Sequence, residues 1–337
     1  MTGKERVLAA LAGKPIDHLP LMPITMMFAA DTAGVGYREY ASHSEVLARA
    51  QLLTADRYGF DYVSAISDPA REASDLGAAV EWFDNQPPAI IESRALLADK
   101  GALAQLRQPD DAAPGRMCDR VIAVGLLATS AGADRIVEGW IEGPCAMSAD
   151  LRGLNTLMLD FYDDPDFVDL LTEFVVTMEI AFARAQIAAG ATLIGIGDAA
   201  ASLIGPKFYE RFVFGGECRL VRAIHEMGAL ARLHICGNTR RILKGMGQTG
   251  ADIVDLDFLS PIHEGRAAMG ERQMLLGNID PVRVLRDGTP ESIAAALAEC
   301  HRQAGPRYIV GAGCEAPRGT PPENLMAMTS YAREHGE

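Results

Sequence analysis

The sequence predicts an α/β fold, a single (β/α)8 TIM barrel over residues 1–337, and three observations carry that prediction. Eight short apolar stretches read as strands, and segments with apolar residues at helical spacing lie between them. No stretch keeps a clean polar alternation along its length, as expected for a parallel sheet covered on both faces. Polar residues able to do chemistry collect at the carboxyl ends of these stretches, and in a closed barrel those ends converge on one mouth.

Residues 1–11 form an amphipathic helix that stops at Gly13 and Pro15, an N-terminal helical extension. Residues 19–25 give strand one despite Pro20 and Pro23. Residues 44–58 place Val46, Leu47, Ala50, Leu53 and Ala55 at helical spacing, stop at Gly59, and deliver strand two at 62–67 with Asp68 at its end. From 69 to 130 the alternation weakens. Segments 86–89 and 108–114 read as loop, 96–106 as a short helix and 117–130 as a returning helix, together an insertion after strand two. Strand three is 135–143, a long helix spans 165–189, and strand four is 191–198, ending on Asp198. Pro206 suits the first turn of a helix reaching 225. Strand five carries His234, a helix follows at 240–248 with Asn238 or Thr239 as its cap, and strand six is 252–257. Strand seven is 274–280, then a helix at 291–303, strand eight at 308–314 and a closing helix at 322–334.

Composition narrows the function classes. No apolar run is long enough to cross a bilayer, and the opening helix lacks the apolar h-region and small-residue cleavage site of a signal peptide, so the chain reads as cytoplasmic. A net charge of -14 with no basic cluster argues against a nucleic acid or an anionic membrane as partner. The sequence is compatible with an oligomer. Six cysteines scattered at 118, 145, 218, 236, 300 and 314 are too sparse for a secreted disulfide scaffold, which turns attention to thiols that bind metal.

In Leu233-His-Ile-Cys236 the period-two geometry of a strand sends His234 and Cys236 to one face, and Gly237 ends the run. With Cys314 at the end of strand eight, one nitrogen and two sulfurs can converge at the mouth, a set that favours Zn(II) over hard, oxygen-seeking cations. Three protein ligands make a catalytic site with an open position. A structural site closes with a fourth ligand, usually from a Cys-x-x-Cys hook, and none exists here. Asp257, with Asp255 on the same face of strand six, is the candidate fourth ligand. Each residue also has a plainer reading, since a single Cys is usually a small core hydrophobe and a single His is often a structural hydrogen-bonder. Cys118, Cys145, Cys218 and Cys300 are read that way. Asp198, Asp68 and Glu72 are candidates for orienting a substrate or metal-bound group, with helix caps or solvated loop carboxylates as the alternative. Asn278 and Asp280, in Gly277-Asn-Ile-Asp-Pro281, are candidates for contacting a cofactor, or equally a capped turn. Met26, Met27 and Phe28 are expected to line the mouth and exclude water. Zinc held by two thiolates and an imidazole is a modest Lewis acid suited to alkyl transfer at sulfur.

With these residues in view, the chain resembles the uroporphyrinogen decarboxylase superfamily, and within it the zinc-containing, cobalamin-dependent methyltransferases, the methylcobalamin:coenzyme M methyltransferases and corrinoid-linked demethylases. The resemblance runs from Arg6-Val-Leu-Ala-Ala-Leu-Ala-Gly-Lys-Pro15 to Pro321-Pro-Glu-Asn-Leu325, through His234-Ile-Cys-Gly-Asn238, Gly250-Ala-Asp-Ile-Val-Asp255, Gly277-Asn-Ile-Asp-Pro281 and Gly313-Cys314. It implies a (β/α)8 barrel, zinc held by His234, Cys236 and Cys314, and a displaceable fourth ligand where Asp257 stands in place of a glutamate. It also implies a methyl group carried by a corrinoid protein or by free methylcobalamin, and a small thiol, methoxy or methylated compound as the other reactant. The decarboxylase branch is the rival. That branch keeps an arginine-rich segment after strand one, whereas residues 24–34 here contain no arginine, and only Asp68 resembles its substrate-binding aspartate. A zinc-stapled binding protein is the non-enzymatic alternative.

Overall fold

The computed structural model describes residues 1–109 and 114–336, so part of the loop expected at 108–114 lies outside the described residues. The strands are β1 (Tyr62–Ser64), β2 (Val80–Glu81), β3 (Ala89–Ile90), β4 (Ile136–Glu142), β5 (Leu193–Gly197), β6 (Leu230–Ile235), β7 (Ile253–Leu256), β8 (Met274–Leu276) and β9 (Tyr308–Ile309). Seven of them form one parallel sheet in the order β1-β4-β5-β6-β7-β8-β9, and β2 pairs with β3 as a separate antiparallel ribbon.

The edges of the curled sheet meet through residues 19–25. Val310 N–H donates to Pro20 O at 2.8 Å, Met22 N–H to Val310 O at 3.0 Å, and Asp61 N–H to Leu21 O at 3.1 Å. The segment expected as strand one therefore closes the ring by a single bridge, Leu21 to Val310. Its physical limit is plain: Pro20 and Pro23 have no N–H to extend a ladder.

Register assigns the two faces. Ile194, Ile196, Leu233, Ile235, Val254 and Leu256 are fully buried against the surrounding helices. The residues between them, Glu138, Trp140 and Glu142 on β4, Arg232 and His234 on β6 and Asp255 on β7, fill the barrel interior. On β5 the interior positions are Gly195 and Gly197, and a Cβ at Gly195 would lie 2.1 Å from the Trp140 ring. These glycines leave the space in which the indole lies.

Several element expectations are corrected. Residues 96–106 form no α-helix; a 3-10 turn, Lys100–Gln105, stands there with Asp99 as its cap. The helix expected from 206 is interrupted by a π turn, Tyr209–Val213, before Phe214–Glu226. The helix after strand five begins only at Leu243, and neither Asn238 nor Thr239 caps it. The Thr239 hydroxyl is held by Ser260 Oγ at 2.8 Å instead.

A candidate metal centre at the barrel mouth

His234, Cys236 and Cys314 come together where β6 and the segment after β9 reach the mouth, with ligand atoms all within 4.8 Å of one another. His234 Nε2 lies 3.1 Å from Cys236 Sγ, and the two sulfurs are 3.7 Å apart, far too long for a disulfide. A tetrahedral zinc with Zn–S bonds of about 2.3 Å would place its two sulfurs roughly 3.8 Å apart. The sulfur pair already has that spacing. Gly237, at φ +91°, turns the chain away immediately after Cys236, and a Cβ there would approach Ser202 Oγ to 2.9 Å.

Polar groups beneath the cluster fix it. Asp255 Oδ2 sits 3.1 Å from His234 Nδ1, which leaves Nε2 facing the sulfurs. The same carboxylate takes Arg232 Nη2 at 2.5 Å, and Arg232 reaches Glu138 at 3.1 Å, all fully buried. Burial opposes charge on His234, but Cys236 and Asp255 outweigh it and hold the imidazole well above its ordinary range. The hydrogen bond from Cys236 draws Cys314 well below the ordinary thiol range and pushes Cys236 up.

The cluster opens into a cavity of about 160 Å³ walled by Ile24, Met26, Ile66 and Trp140, with Asp68, Glu142 and Glu315 at its polar edge. Trp140, Glu142 and Glu315 were not among the candidate residues. The signal was present in strand three, where Glu142 shares the parity of Glu138 and Trp140, and in Glu315 beside Cys314. Glu315 accepts from Met26 N–H at 3.1 Å and Met27 N–H at 2.5 Å, and burial raises its carboxyl to about 8.

The remaining candidates divide. Asp68 reaches the cavity and is gripped by Arg116, whose Nη1 and Nη2 lie 2.9 and 2.5 Å from its two oxygens. Asp198 is buried beneath the helix Pro144–Arg152, accepting from Ala146 N–H at 2.6 Å and Cys145 N–H at 3.3 Å. Glu72 pairs with Arg71 at 2.6 Å inside the protein. Asp257 stands outside the ligand cluster, its Oδ1 accepting from Leu259 N–H at 2.9 Å. Asn278 donates to the carbonyls of Asp257 and Ser260, and Asp280 caps the turn Pro281–Arg286. Phe28 does not line the mouth; it is buried in the core against Tyr58.

The sequence profile of the uroporphyrinogen decarboxylase (URO-D) family matches residues 2–335. The chain is 30% identical to a methylcobamide:CoM methyltransferase, MtbA, of Methanosarcina mazei, across 99% of this chain and 98% of the relative. It is 26% identical to the methylcobamide:CoM methyltransferase MtaA of Methanosarcina barkeri, over 99% and 98% of the two chains. A uroporphyrinogen decarboxylase of Nocardioides is 24% identical over 97% and 96%. Among solved structures, a methyltransferase from Methanosarcina mazei superposes with a TM-score of 0.90 at 23% identity, covering 99% of each chain. No helix among the described residues is long and apolar enough to cross a membrane. Matched along almost its whole length, and carrying the barrel those likenesses share, the chain belongs to the uroporphyrinogen decarboxylase family.

Proposed function

We propose that this protein is a zinc-dependent methyltransferase of the cytoplasm, moving a methyl group between a corrinoid, on a partner protein or free as methylcobalamin, and a small thiol. The observation that carries this reading is the His234–Cys236–Cys314 cluster, with the sulfur spacing of a tetrahedral site, open to a small apolar cavity. Relatives named methylcobamide:CoM methyltransferases and a methylated-thiol--coenzyme M methyltransferase support the same reaction class.

The donor set fits zinc, which when bound there would supply a Lewis-acid position that takes up a thiol as its thiolate. Asp255 orients His234 through Nδ1, and Arg232 balances the buried carboxylates below. Ile24, Met26, Ile66 and Trp140 keep water from the sulfur. With the corrinoid as methyl donor, the thiol would lose its proton to solvent and its sulfur would bond the methyl carbon as the donor's cobalt–carbon bond breaks, that bond's electron pair leaving with the corrinoid.

The cavity disfavours the decarboxylase reading. No arginine or lysine is among its described lining residues to meet a polycarboxylate.

The test is metal content by elemental analysis, with methyl transfer from methylcobalamin to thiols, for the wild type and for His234→Ala, Cys236→Ala and Cys314→Ala. Near-stoichiometric zinc and turnover in the wild type, both lost in the variants, is the expected result. Turnover retained by metal-free Cys314→Ala sinks the proposal.

A further inference from the structure

The side-chain oxygens that line the mouth all belong to carboxyl groups. Asp68, Glu142 and Glu315 line the cavity beside the cluster, and a second cavity of about 590 Å³ shares Pro69, Glu142 and Ala199 with it and adds Glu92 and Asp150. No arginine or lysine lines either cavity among the described residues. Of the nearby cations, Arg116 is paired with Asp68 at the wall, and Arg71 is paired with Glu72 and attracts Glu142 from behind it.

Glu142 stands apart from the other acids. Asp68 has Arg116, and Glu315 has two backbone amides. The Glu142 side chain is about 95% buried at the junction of the two cavities, and its carboxylate has no hydrogen-bond or ion-pair partner among the described residues. A buried carboxyl without a partner is costly unless a ligand supplies one. Burial, with Glu72 nearby, pushes its carboxyl well above the ordinary range against the pull of Arg71, and a further cation in the cavity would favour its ionised form. Two residues before it on the same face of β4, Trp140 presents an aromatic surface to the same cavity, a partner suited to an organic cation.

We infer that the small substrate held beside the His234–Cys236–Cys314 cluster carries a cationic nitrogen that pairs with Glu142, an amine-bearing thiol or its methylated form. This rests on the methyl-transfer reading and narrows it. Coenzyme M, the acceptor in the relatives' names, is 2-mercaptoethanesulfonate, and its anionic end would find no arginine or lysine among the described lining residues.

Three two-carbon thiols that differ in the charge at the far end test this: 2-aminoethanethiol, 2-mercaptoethanol and 2-mercaptoethanesulfonate. Their kcat/KM with methylcobalamin is compared with their Kd for the zinc-loaded protein by titration calorimetry. Both are expected to rank the amine first and the sulfonate last. In Glu142→Gln the amine's advantage over the neutral thiol should fall about tenfold, the size of one charge-assisted hydrogen bond. A sulfonate or neutral thiol that binds best, or an unchanged ratio in a folded Glu142→Gln, overturns the inference. The wild-type ranking decides even if the variant does not fold. If none of the thiols turns over, the methyl-transfer reading fails, and the calorimetric ranking still decides the charge assignment.

Discussion

Asp255 joins the charge chemistry of the barrel interior to the mouth. One of its oxygens serves both His234 Nδ1 and Arg232, so the ring's orientation depends on a carboxylate that is itself anchored. Asp255→Asn keeps the shape and removes the charge. Outer partners of ligating histidines typically contribute 10- to 100-fold in metal affinity, so the zinc Kd of this variant should rise by about that factor. A competition titration against a chromophoric chelator measures it, and an unchanged Kd would mean that the carboxylate only packs. The convergence of His234, Cys236 and Cys314 was legible because period two and the strand-end position fix the direction of their side chains. The same rule does not say what an aspartate meets beyond the strand. Asp280 precedes Pro281, the usual setting of a helix N-cap, and that local signal outranks its place at a strand end.

At the scale of elements, the end of β5 is coupled to the start of the helix Pro144–Arg152 through Asp198. Burial raises this carboxyl to about 7, against the two amides that lower it. A carboxyl whose folded pKa lies above its unfolded value binds its proton more tightly in the folded state. Its contribution to stability is fully present below about pH 4, the range of an ordinary aspartate, and is lost as pH rises through about 7. Asp198→Asn should therefore flatten the fall in stability between those limits. Denaturant melts at pH 4, 5.5, 7 and 8 measure this, and a profile parallel to the wild type refutes the assignment. Glu217 must be followed too, because burial and Asp198 push it up as well. Most helices and seven strands were legible from apolar spacing. The π turn at Tyr209–Val213 was not, since it leaves the spacing on either side helical, and the 3-10 turn Lys100–Gln105 is too short to show a period.

The whole molecule separates stability from the candidate metal site. The largest buried cluster runs around the barrel from Val7 to Ala332, and His234, Cys236 and Cys314 sit at one rim. A chain of this length buries about three quarters of the surface its unfolded form exposes, which is ample without a staple. On the proposed reading, zinc would add only its own binding linkage, about 2.7 kcal/mol at a free concentration one hundred times Kd. Stripping the metal with a chelator should lower Tm by several degrees while far-UV circular dichroism and a single cooperative transition persist. A zinc-stapled binding protein makes the opposite demand, because there the metal's binding energy is the folding energy and removal unfolds the chain at room temperature. The three-ligand cluster open to a cavity, with its orienting partner Asp255 already held by Arg232, argues for a preformed site on an independently stable barrel. If so, methyl transfer should return on adding zinc back to the folded, stripped protein without a refolding step. Loss of the circular dichroism signal on chelation would reverse that order of cause, making the metal the origin of the fold.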